Sequence, residues 1–330
     1  MSTLKDVAKR AGVSVSTVSI IANGREKERK ISPETIDKVT KAIKELNYRP
    51  NVSARSLKYV AKPTIKFVLF WPQDERILML SSILSGINQK ITDDNFKCQI
   101  IVNLYLPNKL SEQIKDLNKF EFQGIIIGGP SEQDLQELNA LNISLPVVLI
   151  NRKTDHFNSV SVDPLQLAQQ AVALYTSKNI NSILTVGIVN KFQASNYRLN
   201  SFISLAEKEG IEIKPQFKLA VNNSFEDGIK IAKYYSHMET PPKNIFVESD
   251  IIAIGMVKEF SKIGLKPKED YSLISIGNLE SLRTLYTTPS ISLIDVPSHK
   301  ISAAAISILE KQEHNKHIFI KSRVLLRETF

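Results

Sequence analysis

Residues 15–22, Val-Ser-Thr-Val-Ser-Ile-Ile-Ala, place two kinds of side chain on opposite sides of one short helix. Val18, Ile21 and Ala22 have the spacing of a buried stripe, whereas Ser16, Ser19 and Ile20 face away from it and Val15 sits at its amino-terminal end. An outward isoleucine gives a small helical bundle nothing. In a DNA major groove it can meet a thymine methyl, and Ser16 can hydrogen-bond either type of base. The competing reading is an ordinary solvated surface. A second group, Trp71-Pro72-Gln73-Asp74-Glu75, offers a ring face and polar neighbours, which suits an uncharged polyol. Its competing reading puts the only tryptophan in a core or an interface. Catalytic chemistry is not indicated: GxGxxG, GxxxxGK followed by Ser or Thr, and GxSxG are all absent. The glycines of residues 124–130 lack dinucleotide spacing, and His156, His237, His299, His314 and His317 are scattered. His314 and His317, three apart without acidic company, read as a surface pair rather than a metal site. The chain is therefore expected to be no enzyme and to carry neither cofactor nor metal.

The elements that position the first group are short helices. Thr3-Leu4-Lys5-Asp6 has the form of a capping box, and Leu4, Val7, Ala8 and Ala11 follow on one face until Gly12. Ser14 can cap the next helix, which Gly24 ends. Ser32-Pro33-Glu34 then combines a cap, a proline at the first position and an acid in the first turn, with Ile36, Val39, Ile43 and Leu46 as the buried stripe. Two short helices on a glycine-containing turn, followed by a third, predict a helix-turn-helix unit.

Charge separates this head from the rest. Residues 1–62 hold 14 Lys/Arg against 6 Asp/Glu, a net of +8, while the other 268 residues hold 29 against 28. A basic head on a near-neutral body suggests a polyanion partner for the head. With 42% apolar residues the chain can bury a core. Cys98 stands alone, which excludes intrachain disulfides and cysteine-rich zinc sites. No apolar run reaches 18 residues and no signal segment precedes the first helix, so a cytoplasmic protein with no membrane partner is expected.

The runs TLKDVAKRAGVSVSTVSIIANG, ISPETIDKVTKAIKELNYRPN and SARSLK resemble the DNA-binding head of the LacI/GalR family, the lactose, galactose and purine repressor group. The resemblance implies base reading by Val15, Ser16 and Ile20, and phosphate contacts by Thr3, Ser14, Thr17, Ser19 and Asn23. It implies a hinge helix over residues 51–58, including Ser53, Ala54, Arg55 and Lys58, with Leu57 wedged into the minor groove. A free eight-residue helix is unstable in water, which agrees with a hinge that orders on DNA. Family members often carry a polar or basic residue at the position of Ile20, and the loop at residues 24–30 is longer and more charged than usual.

From residue 64 onward apolar runs alternate with amphipathic stretches. Strands are expected at 65–71, 99–104, 124–128, 147–150, 182–187, 217–221, 244–247 and 273–277. Helices are expected at 77–92, 133–141, 165–177, 197–209, 224–236, 251–263 and 300–311. Such alternation predicts parallel sheets covered on both faces, with ligands at the carboxyl ends of the strands. The resemblance implies the same α/β architecture, a periplasmic-binding-protein-like core of two doubly wound Rossmann-like lobes. The expected domains are the head at 1–50, hinge and linker at 51–62, and core at 63–330. Lobe one is drawn at about 63–162 plus 293–318, lobe two at about 163–292 plus 319–330.

The resemblance also assigns a small-molecule effector site. Trp71, Gln73, Glu75, Ser131, Asn151 and Arg152 line it from strand ends of the first lobe; Arg198, Asn223, Asp250 and Asn278 line it from the second. Arg198, in a stretch expected to open a helix, has a fork for carboxylate or vicinal hydroxyls; its competing reading is a solvated helix-start arginine. Asp250 could serve the effector, cap a helix, or both. The family's Gly-aromatic-Asp-Asn run is here Ser275-Ile276-Gly277-Asn278, without the Asp. Arg152 beside Asn151 is compatible with a sugar or a sugar phosphate. The expected function is repression of a carbohydrate-utilisation operon by a homodimer on double-stranded operator DNA, relieved or enforced by that effector. The alternative is control by a protein partner or a non-sugar metabolite. The family's tetramerising C-terminal leucine-heptad helix is missing after Phe330, which favours the dimer.

Overall fold

The computed structural model describes residues 3–22, 29, 31–46, 64–117, 121–152, 154–189, 193–277 and 281–330. They fall into two compact units, residues 1–64 and 65–330.

In the first unit, helix α1 (Leu4–Ala11) starts at the expected capping box: the Thr3 side chain accepts from the Asp6 amide, and the Asp6 carboxylate accepts from the Thr3 amide at 2.7 Å. It stops at Gly12, whose φ of 68° is left-handed and suits a residue without Cβ. Helix α2 (Val15–Ala22) begins where Ser14 Oγ accepts from the Thr17 amide at 3.1 Å. Helix α3 (Pro33–Glu45) begins at Ser32, whose side chain accepts from the Thr35 amide. Val7, Ala8, Val18, Val39 and Ala42 form the buried core, with Leu4, Ile21, Ile43 and Leu46 packed around it.

The second unit contains two six-stranded sheets. The first has the order β11–β5–β4–β3–β1–β2, built from β1 (Ile65–Pro72), β2 (Cys98–Tyr105), β3 (Gly124–Gly128), β4 (Val147–Ile150), β5 (Asn158–Val162) and β11 (His317–Ile320), all parallel. The second has the order β12–β10–β9–β8–β6–β7: β6 (Ile183–Ile188), β7 (Lys218–Val221), β8 (Asn244–Val247), β9 (Ser272–Gly277), β10 (Ser292–Asp295) and β12 (Arg323–Leu325). Only the β10–β12 pair among them is antiparallel. Helices lie between the strands: α4 (Leu80–Asp93), α5 (Leu110–Lys115), α6 (Glu132–Asn139), α7 (Pro164–Ser177), α8 (Gln193–Lys208), α9 (Phe225–Ser236), α10 (Asp250–Lys262), α11 (Ser281–Leu285) and α12 (Ser298–Glu310).

Period-two alternation decides which side of the first sheet each residue serves. Phe67, Leu69 and Trp71 join Ile83 and Ile87 of α4 and Ile301 and Ile308 of α12 in one core, whereas Val68 and Phe70 join Leu110 and Ile114 of α5 and Leu135 and Leu138 of α6 in another. Both faces are therefore buried, which is why these strands read as unbroken apolar runs.

The lobe boundary differs from the sequence expectation. Strand β10 pairs with β9 and β12, so it belongs to the second lobe, and the chain returns to the first lobe only at α12. Strand β11 extends the first lobe to Ile320. Strands β5, β10, β11 and β12 and the short helices α5 and α11 were not among the expected elements. Along the crossovers between lobes, Ser322 is buried and its hydroxyl lies 2.7 Å from the side-chain oxygens of both Gln166 and Gln170 of α7.

Helices α9 and α10 approach closely at facing glycines. A Cβ on Gly255 would fall 2.1 Å from the Phe225 carbonyl oxygen and 3.1 Å from the Gly228 Cα. Gly255→Ala is expected to destabilise the core by about 1–3 kcal/mol despite alanine's better helix propensity. Thermal unfolding checks this, at roughly 2–4 °C of Tm per kcal/mol for a unit of this size.

Candidate functional site

In the head, the face opposite the core is the one selected from sequence. Val15 is 41% exposed, Ser16 is exposed, and Ile20 is half-buried without joining the core. Thr17 Oγ1 lies 2.8 Å from Ser14 Oγ, which keeps two hydroxyls together at the amino-terminal end of α2. Thr3 is exposed at the start of α1 and Ser19 is half-buried on α2. Asn23, Ser53, Ala54, Arg55, Leu57 and Lys58 lie outside the described residues.

In the core, strand ends of both lobes supply the site. Arg76 follows β1 and turns back on itself: its Nε donates to Asp74 Oδ1 at 2.8 Å, its Nη2 pairs with Asp74 Oδ2, and its Nη1 donates to the Gly129 carbonyl at 2.5 Å. Gly129 has φ of 60°, and a Cβ there would lie 2.5 Å from Arg76 Nη1. Asn151, after β4, also takes a left-handed φ of 55°, which asparagine tolerates better than most residues. The next residue, Arg152, is buried; its Nε donates to the Pro130 carbonyl and its Nη1 to the Asn151 carbonyl, both at 2.7 Å. Burial, and then the positive charges of Arg76 and Arg198, bring its pKa down to about 9, still protonated at neutral pH.

The second lobe contributes Arg198. Helix α8 starts at Gln193, so Arg198 lies in the second turn rather than opening the helix as expected, and it is buried rather than solvated. Its Nη2 donates to Asn151 Oδ1 at 3.4 Å, a contact between residues of different lobes. Burial lowers its pKa to about 10, against the opposing charge of Glu248. Glu248, also buried, accepts from the Ile188 amide at 2.9 Å. Ser249, not Asp250, caps α10, accepting from the Ile251 amide at 3.3 Å; Asp250 is the first helical residue and fully buried.

Five of the sequence-selected effector residues divide between two cavities, and Asp250 lines neither. Asn151, Arg152 and Arg198 line one of about 480 Å³, together with Tyr197, His317 and Phe319. Ser131 and Asn223 line another of about 610 Å³ with Asp74, Asn108 and Val189. Ser131 is also the cap of α6, accepting from the Asp134 amide at 3.0 Å, and the Asn223 side-chain oxygen is buried without a hydrogen-bond partner.

Trp71 departs from the polyol-stacking expectation. It is 3% exposed, its ring packs against Gly128, where a Cβ would lie 2.2 Å from Cζ3, and its Nε1 donates to the Arg76 carbonyl at 3.0 Å. The ring is a core residue and presents no face to a ligand. Gln73 is exposed and lines neither cavity; the Glu75 side chain and Asn278 lie outside the described residues. Sequence reasoning missed Tyr197, Phe319 and His317 as cavity residues. His314 and His317 are both exposed, and His317 Nδ1 lies 2.8 Å from Ser159 Oγ. Among the described residues there is no group of three potential metal ligands and no helix long and apolar enough to cross a membrane.

Comparison with known proteins agrees with both halves. Residues 3–51 match the lacI family of bacterial regulatory proteins, and residues 172–329 match a periplasmic binding protein-like domain. Catabolite control protein A of Staphylococcus epidermidis is 27% identical over 318 residues, spanning 96% of this chain and 94% of that protein. A LacI family transcription regulator from Clostridium acetobutylicum superposes with a TM-score of 0.76 at 27% identity, over 80% of this chain and 99% of that one. The lac repressor dimer bound to operator and the anti-inducer ONPF superposes with a TM-score of 0.73 at 19% identity, over 99% and 98% of the two chains. The chain thus carries a head that matches the lacI family of bacterial regulatory proteins and a core that matches a periplasmic binding protein-like domain, and over nearly its whole length it is similar to DNA-binding transcriptional regulators of the lacI family.

Proposed function

We propose that the protein is a dimeric repressor of a carbohydrate-utilisation operon whose grip on operator DNA is set by a small effector bound between the lobes. The observation that carries the effector half is the meeting of Arg198 from one lobe with Asn151 from the other, beside a cavity that both line. A ligand held by residues of two lobes favours the lobe arrangement that contacts it best, and so shifts the equilibrium between arrangements by its differential affinity. The similarity to a catabolite control protein supports the carbohydrate setting. The lac repressor likeness supports a dimer on operator DNA, since two half-sites supply the contacts that one head lacks. On this reading the exposed face of α2 reads bases and Leu57 levers the minor groove.

Selection of preferred sites from a random DNA pool tests the base-reading half. Ile20→Arg is expected to shift the selected sequence at one position per half-site, each changed base pair being worth ~1–3 kcal/mol, with fold and effector binding intact. A uniform loss over all sequences would show that Ile20 reads no base.

A further inference from the structure

Among the described residues, three stretches of chain cross between the lobes, at 162–164, 295–298 and 320–323. The third is fastened by side chains that lie outside both cavities. Gln166 and Gln170 stand four apart on α7 and so share a face of that helix. Between them they take every polar group of Ser322. The Ser322 amide donates to Gln166 Oε1 at 3.2 Å, its hydroxyl lies 2.7 Å from the side-chain oxygen of each glutamine, and its carbonyl accepts from Gln170 Nε2 at 3.2 Å. Ser322 is 4% exposed, which makes such bonds costly to leave unmade.

The fastening is rooted in the second lobe. Further along α7, the buried Tyr175 donates to the Ile245 carbonyl of β8 at 3.0 Å and meets the rings of Phe202 and Phe330 edge-on. Arg323, next after Ser322, donates from Nε to Asp295 Oδ2 at 2.9 Å, which ties the third crossover to the second, where Asp295 ends β10. The first crossover runs into the same helix: the Asp163 side chain caps α7, accepting from the Leu165 amide at 2.9 Å. On the other side stands the first lobe, where Ile320 ends β11 opposite Val162 of β5. Lys321, between that strand and Ser322, is exposed.

A hinge absorbs its change of φ and ψ over a few residues. A residue held at amide, hydroxyl and carbonyl resists turning, so on this crossover the bend falls to Lys321. We propose that Gln166, Gln170 and Ser322 form a clasp that makes the third crossover part of the second lobe, so that β11 and α7 move as one when the lobes rearrange. They are positioning residues for the coupling of ligand to DNA, and the inference rests on the effector reading above. With the clasp open the lobes take intermediate arrangements, and the differential affinity of a ligand for one arrangement over another shrinks.

Two measurements on full-length Ser322→Ala and Gln170→Ala test it, with Gln169→Ala, exposed on the same helix, as the control. Trypsin cuts after lysine, so the rate of cleavage at Lys321 under native conditions reads local opening of the clasp. Anisotropy of a labelled DNA site, selected from the random pool, reads the coupling. It is recorded with and without saturating glucose, maltose, cellobiose, glucose 6-phosphate, fructose 1-phosphate or guanine. Ser322→Ala and Gln170→Ala are each expected to be cut at Lys321 ~5–10-fold faster than the wild type, the scale of one lost hydrogen bond. The compound that shifts wild-type DNA affinity most should shift that of both variants at least ~3-fold less. Gln169→Ala should match the wild type in both measurements. Unchanged cleavage in both variants overturns the clasp. Faster cleavage with a full DNA-affinity shift also overturns the proposal, because the clasp would then serve stability alone, and the effector reading stands. If none of the six compounds shifts the wild type, the effector reading falls and this inference falls with it.

Discussion

Trp71→Ala is expected to lower the stability of the core by about 3–5 kcal/mol, the usual cost of emptying a buried aromatic site. For a unit of this size that is a fall in Tm of roughly 6–20 °C. The reason is the position of Trp71 on β1: it shares a sheet face with Phe67 and Leu69 and lies in the core that α4 and α12 cover. Its indole N–H also holds the Arg76 carbonyl, and with it the turn that carries Arg76 to Asp74 and Gly129. Trp71→Phe keeps most of the packing but leaves that carbonyl without its indole donor, so a smaller loss is expected. A tryptophan that stacked on ligand would behave the other way, with affinity falling and the melting curve unmoved. Thermal unfolding of both variants, beside ligand titration, separates the two.

Arg198→Gln is expected to abolish the response of operator binding to effector while the protein still binds operator. Its guanidinium reaches from α8 to Asn151 of the other lobe and feels the charge of Glu248, so on the proposed reading it links lobe arrangement to ligand. Coupling between two sites in regulators of this kind is worth ~1–3 kcal/mol, a 5- to 150-fold change in operator affinity. Glutamine retains one donor toward Asn151 but neither charge nor fork, and the differential affinity that drives the shift should vanish with them. Operator titrations with and without ligand measure it. A variant whose operator affinity still shifts as in the wild type would remove Arg198 from the coupling.

The legible part of the fold was what burial writes into sequence. Strands β3, β4 and β8 match their expected bounds residue for residue because both of their faces are covered and their runs are apolar, Asn244 at the start of β8 apart. Strand β5, Asn-Ser-Val-Ser-Val, sends its serines toward a cavity and gains its place by pairing on both sides, so no apolar run announces it. Strands β11 and β12 are four and three residues long and return from distant sequence, which local periodicity cannot see. Missing β11 concealed His317 and Phe319, which line the cavity beside Ser159 and Ser161.

Site residues followed the same division. Asn151 and Arg152 are selected because strand ends of a parallel sheet collect ligands, and Arg198 because it matches a family position; the structure puts all three on one cavity wall. Trp71 also sits near a strand end, yet the alternation Phe67, Leu69, Trp71 already places it on the face that α4 covers. Type and position suggested stacking; the pleat decided otherwise. Arg76 escaped notice because its role depends on a turn back to Asp74 and Gly129 that spacing does not reveal. For Asp250 the capping reading fails: Ser249 caps α10, and Asp250 is its first helical residue.

The most direct test of a ligand-controlled DNA-binding protein is one titration of labelled operator DNA with the full-length protein, followed by fluorescence anisotropy. It is run with and without the tightest-binding ligand from a panel of sugars, sugar phosphates and nucleobases, for the wild type and for Arg198→Gln. The account predicts a shift of ~5- to 150-fold in operator affinity for the wild type and none for the variant. Equal shifts in both proteins, or a ligand that binds the core and leaves wild-type operator affinity unchanged, would contradict it.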